Sequence, residues 1–169
     1  MNNDKKQKRE ELAIFKNFIR VCEYDIVESS IEQQEPPKPD ILCQLATGEM
    51  IEFELAQAVY KTLAQKMNDE RIKDKGGFCE DDVIPKIIFN KNNKAKNHKY
   101  ELTANRFELL VYLGIMPKFP YWDKMIPDFL MSRENEWVFD RIWILRDDIN
   151  NPEILWSFTK PDMETNFLK

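Results

Sequence analysis

Asp40, Glu52 and Glu54 are the residues of this chain whose types and spacing best suit catalysis or metal binding. A run containing Pro36, Pro37 and Pro39 leads into Asp40, and the two glutamates follow a dozen or so residues later. Carboxylates separated in this way converge when two antiparallel strands fold back on each other. Hard divalent cations such as Mg²⁺ favour such oxygen ligands, so the expected chemistry is a metal site. A second concentration lies between Val83 and Tyr100, where Lys86, Lys91, Lys94, Lys96, Lys99 and His98 stand without a single acid. Such a basic patch suits phosphate by counterion release. Each feature also has a plainer reading: strand acids as the solvated face of a sheet, and a lysine run as ordinary surface.

The elements that must position these groups follow from hydrophobic spacing. Over residues 5–23, Leu12, Phe15, Ile19 and Cys22 keep the three-to-four period of a helix with one buried face. Residues 26–34 read as an edge strand or loop, stopped by the prolines. Residues 41–45 and 50–55 flank Ala46, Thr47, Gly48 and Glu49, a connection of hairpin length. In the second strand Ile51, Phe53 and Leu55 share one face and Glu52, Glu54 and Ala56 the other, which points both glutamates away from the core side. A helix is expected over residues 57–75, ending at Gly76 and Gly77, and another from about Asp82, with Ile84, Ile87 and Ile88 packing before it fades into the lysine and asparagine stretch. Strands are expected over 107–113, 137–145 and 154–158, with a short helix over 122–131. This order implies an α/β sandwich, a mixed sheet with helices on its faces.

The chain has 169 residues, which suits one domain spanning 1–169 with a core that needs no disulfides. Cys22, Cys43 and Cys79 lack paired spacing and read as reduced packing residues. No run approaches the roughly 20 apolar residues of a membrane span, and none looks like a secretion signal, so a cytoplasmic address is expected. The net charge of −5 excludes a uniformly basic surface but says little about one cleft. Ser29 and Ser30 lack a nucleophile-elbow context, His98 is the sole histidine, and no glycine-rich phosphate loop is present. Serine hydrolases and P-loop enzymes are thereby excluded. Tyr121, Trp122, Trp137 and Trp143 read as core or interface in preference to base-stacking platforms.

Pro39 and Asp40, the hairpin turn, and then Glu54, Leu55 and Ala56 closed by Gln57 resemble the active-site motif of the PD-(D/E)XK nuclease superfamily. The resemblance covers roughly residues 8–146 and implies a restriction-endonuclease-like mixed β-sheet flanked by helices. It further implies phosphodiester hydrolysis of DNA with Mg²⁺ or Mn²⁺, held by Asp40, Glu54 and the Leu55 carbonyl. Glu11 or Glu10 on the first helix would orient the site, and Lys86, Lys91 and Lys94 would contact nucleic acid. One position departs from the pattern: Ala56 stands where the motif lysine belongs. Gln57, a lysine such as Lys61 or Lys86 from a neighbouring helix, or a shifted register with Glu52 as ligand would restore the function. A domain without catalysis, serving as a nucleic-acid-binding or protein-interaction module, is the alternative. A homodimer through the C-terminal strand and residues 119–122 is also expected.

Overall fold

The computed structural model describes residues 3–58, 83–97, 99–113, 122–148 and 150–160. Helix α1 (Asn3–Ile19) forms on the expected periodicity and buries Ile14, Phe15 and Phe18. After a short 3-10 turn (Glu28–Ser30), β1 (Glu32–Gln33) adds a two-residue edge strand, and the proline run then breaks regular structure. Strands β2 (Ile41–Gln44) and β3 (Met50–Gln57) make the expected antiparallel hairpin, with Ile41 opposite Phe53 and Cys43 opposite Ile51. Gly48 turns it at φ +93°, a backbone state that a Cβ would strain. Its N–H donates to the Leu45 carbonyl and the Leu45 N–H to the Glu49 carbonyl, each at 2.8 Å.

The remaining described elements are α2 (Val83–Lys96), β4 (Arg106–Tyr112), α3 (Trp122–Ser132), β5 (Arg141–Arg146) and β6 (Glu153–Thr159). The six strands lie side by side in chain order; β3, β4 and β5 run parallel, and the pairs at either side are antiparallel. The fold is therefore mixed α/β, with helices on both faces. One core joins α1 to Ile41, Ile51, Phe53, Leu55, Leu110 and Trp143. The other joins α2 and α3 to Ala56, Leu109, Val111, Ile142 and Ile144. Burial on both faces explains the unbroken apolar run Leu109, Leu110, Val111 in the central strand.

Three expectations change in the folded chain. The face carrying Glu52 and Glu54 does not point away from a core: both acids are buried, at 0% and 2% exposure. The hairpin read alone has one apolar face, but parallel pairing with β4 draws β3 into the middle of the sheet, and α2 covers its second face. Strand β5 begins at Arg141 and not at residue 137, because Trp137 and Phe139 belong to the core beside a 3-10 turn (Glu134–Glu136), with the Trp137 indole donating to the Leu130 carbonyl at 3.0 Å. Helix α2 runs through its asparagines because Asn92 is itself buried and bonded. The helix expected over residues 57–75 falls, beyond Ala58, outside the described residues, as do Lys61, Cys79, His98 and Tyr121. Cys22 and Cys43 are free thiols, and burial pushes Cys43 up to about 12. No described helix is long and apolar enough to cross a membrane.

Candidate functional site

The carboxyl ends of β3 and β4 open into a cleft of about 770 Å³ between α1 and α2, lined by Lys6, Gln7, Glu10 and Glu11 on one side and Asn90, Lys91 and Lys94 on the other. Its floor is Leu55, Ala56, Gln57 and Tyr112. In open α/β sheets this is where ligands sit, since strand ends and helices leave a crevice there. A smaller cavity of about 270 Å³ shares Gln7 and Glu11 with the cleft and reaches Asp40.

Hairpin register brings the first two acids together. Asp40 stands one residue beyond the Ile41–Phe53 pair, which places it beside Glu54. Its Oδ2 accepts the Leu55 N–H at 2.7 Å, tying the aspartate to the strand that carries the glutamate. Burial pushes the Asp40 carboxyl up to about 6, the Glu54 charge adds to this, and the Leu55 N–H and Lys91 oppose it. A near-neutral titration inside a cleft is a mark of functional sites.

Helix α2 supplies the positive charge. Lys91 and Lys94, three residues apart and so on one helical face, both donate to Glu54 Oε1, at 2.6 and 3.4 Å. The Glu54 side chain is 3% exposed, against 28% for Lys91 and 45% for Lys94, so the carboxylate is enclosed while the ammoniums reach the cleft. Asn92 holds the helix in place: its side chain donates to the Glu136 carbonyl at 3.0 Å and accepts the Val138 N–H at 2.9 Å. The Lys94 ammonium also lies over the Tyr100 ring, 4.2 Å from its centre. The Tyr100 hydroxyl is buried without a hydrogen bond of regular geometry, and burial, with the Glu54 charge behind it, pushes its pKa upward.

No protein-family model, curated protein or solved structure matches this chain. Leu55, Gln57, Lys91 and Lys94 line the cleft as the sequence suggests, Asp40 lines the adjoining smaller cavity, and Glu54 is enclosed and reached by the two lysines; Glu11 borders both cavities while Glu10 lines only the larger. Glu52 is placed elsewhere in role. Its Oε2 accepts the Thr103 and Ala104 N–H groups at 2.9 and 3.1 Å, and its Oε1 accepts the Thr103 hydroxyl at 2.8 Å, so it anchors the segment leading to β4. Lys86 lies in a separate groove with Phe89, Phe129 and Arg133. Sequence reasoning missed Lys6, Gln7, Asn90, Tyr100 and Tyr112 as site residues. Tyr112 was within reach of it, because Gln57 and Tyr112 end neighbouring parallel strands.

Among the described residues no group of three or more His, Cys, Asp or Glu side chains is arranged to hold a metal ion. Mg²⁺ asks for less, since it keeps several waters and binds through one or two carboxylates. The Leu55 N–H donates to Asp40 Oδ2, and the two ammoniums donate to Glu54 Oε1. Two adjacent carboxylates, with the Leu55 backbone beside them, offer the hard oxygens that such a cation takes.

Proposed function

We propose that this chain is a Mg²⁺- or Mn²⁺-dependent nuclease of the PD-(D/E)XK type with a restriction-endonuclease-like fold, acting on DNA. The observation that carries the reading is the Lys91 ammonium on Glu54, 2.6 Å from the carboxylate whose own strand has Ala56 in place of the motif lysine. The lysine absent from β3 is replaced in space by one from the facing helix. Support also comes from the element order, helix, hairpin, helix, strand, helix, strand and strand among the described residues, which agrees with the order the resemblance implies.

Asp40, Glu54 and the Leu55 carbonyl would hold the cation, which when bound supplies an activated water and neutralises charge on the phosphodiester. Lys91 and Lys94 hold the phosphate oxygens where negative charge grows in the transition state. Glu11, on α1 and close enough to raise the Asp40 pKa by its charge, orients the acidic side of the site. Gln57, exposed at the cleft floor, contacts the nucleic-acid backbone.

Plasmid cleavage in Mg²⁺ and in Mn²⁺ tests this. The wild-type chain is expected to cut, and the folded Asp40→Ala/Glu54→Ala variant to lose roughly a thousandfold or more, about 4 kcal/mol of transition-state stabilisation. Cutting that survives the double substitution would overturn the assignment. A second reading, a module that holds nucleic acid without cutting it, draws on the same ion pair, because two lysines already balance the Glu54 charge. It requires DNA retention by the wild type with no cleavage in either cation.

A further inference from the structure

Glu54 is asked to do two things at once. The proposed reading makes it a cation ligand, yet its Oε1 already holds the Lys91 ammonium at 2.6 Å and the Lys94 ammonium at 3.4 Å. A divalent cation and two ammoniums around one buried carboxylate repel one another strongly, because little solvent separates them. The lysines can leave, since both are partly exposed, line the cleft and sit on flexible four-carbon stems. Asp40 cannot leave so readily, being bonded to the Leu55 N–H. Lys94 is held the more loosely of the two, at 3.4 Å from Glu54, and its ammonium keeps a second partner in the Tyr100 ring at 4.2 Å.

We propose that Lys91 and Lys94 are an internal counter-cation that a divalent ion displaces from Glu54, and that the displaced ammoniums then face the cleft as the phosphate-binding pair. Cation binding thereby converts lysines spent on the protein's own acid into lysines available to substrate. The acid cluster stays neutralised in the metal-free protein, and phosphate affinity rises only when the cation is in place. This inference rests on the metal-site reading above and adds a coupling between its two halves.

The test needs no substrate. Titrating MgCl₂ and MnCl₂ calorimetrically into the full chain, its Lys91→Gln/Lys94→Gln variant and its Asp40→Ala/Glu54→Ala variant compares their affinities for the cation alone. Removing two opposing positive charges is expected to tighten cation binding by about tenfold, while removing the carboxylates abolishes it. In parallel, ¹⁵N-resolved NMR of the lysine ammonium groups in the wild type reads the exchange without any substitution. The Lys91 and Lys94 signals are expected to lose the shift of a carboxylate-bonded ammonium on Mg²⁺ saturation. If the wild type binds the cation while the lysine variant binds no tighter and the ammonium signals stay put, the displacement is wrong and the metal site stands. If the wild type binds neither cation, both fall. Should the lysine variant fail to fold, the wild-type ammonium spectra decide alone.

Discussion

Glu108 and Glu54 are buried acids on neighbouring parallel strands, and they face opposite sides of the sheet. Glu108, on the α1 face, is fully enclosed. Its Oε1 accepts the Tyr24 hydroxyl at 2.9 Å and pairs with Arg106 at 2.7 Å, and its Oε2 accepts the Trp143 indole N–H at 2.6 Å. Arg141 stacks on the Trp143 ring at 3.9 Å and pairs with Glu23 on its outer side. Rigid guanidiniums, an indole and a phenol thus close the shell around that carboxylate. Glu54 is matched by ammoniums on flexible stems that reach an open cleft. The difference teaches how one sheet carries two uses of the same chemistry. A planar guanidinium locks a carboxylate into the fold, whereas a lysine neutralises it and remains exchangeable.

The contrast can be broken most directly at Glu108. Glu108→Ala leaves the half-buried Arg106 without its main partner and strands the Trp143 indole N–H in the core, and is expected to cost about 3 kcal/mol in urea unfolding. Glu54→Ala leaves ammoniums that can turn to water, and about 1 kcal/mol or less is expected. Equal losses at the two sites would erase the distinction.

Asp40 sharpens it through pH. Its carboxyl is raised in the fold to about 6 from an ordinary value of 3.8, so the folded protein binds the proton more tightly than the unfolded chain. Stability is then expected to rise as pH falls from about 7 towards 4, by up to about 3 kcal/mol from this group. Asp40→Asn removes that contribution and should be the more stable protein at pH 7, with the difference from wild type vanishing near pH 4. Denaturant titrations of both proteins across this range check the sign, and a wild type that is the more stable at pH 7 would refute it.

A smaller effect belongs to the residue that holds the lysine helix. Asn92→Ala removes a fully buried side chain and with it the partner of the Val138 N–H and the Glu136 carbonyl, and is expected to cost about 1–2 kcal/mol. The smallest effects compare basic residues on the two sides of α2. Lys91→Gln/Lys94→Gln should lower the salt dependence of DNA retention by about 0.9 for each phosphate that is no longer neutralised. Lys86→Ala, in the groove away from the cleft, should leave that slope unchanged. Filter binding across a salt series separates them.

Much of the framework was legible in the chain. Alternation in residues 50–57, the glycine turn and the apolar run after Arg106 are local patterns, and local backbone preference with side-chain period is enough to place strands. That Asp40 meets a glutamate of the next strand was legible, while spacing left Glu52 and Glu54 both open and the register of the folded hairpin selects Glu54. Two things were not. The second face of β3 looked polar, since nothing in residues 50–57 announces that α2 will cover it. The choice among Gln57, Lys61, Lys86 and a shifted register stayed open, because distances between separate elements are not encoded in spacing along one of them. Lys91 was visible as one lysine among five, and only its neighbour in space singles it out.

From sequence alone came the mixed α/β class, the hairpin that brings Asp40 to the strand carrying Glu52 and Glu54, and the concentration of lysine after Val83. These rest on periodicity and turn chemistry, which act within a few residues. Tertiary structure decided that Glu52 anchors residues 103 and 104, that Tyr24 and Trp143 close around Glu108, and that Lys91 and Lys94 meet Glu54. Each of these joins residues tens of positions apart. Burial makes an unpaired charge costly, and the packing of helix on sheet determines which distant partner is near enough to offset that cost.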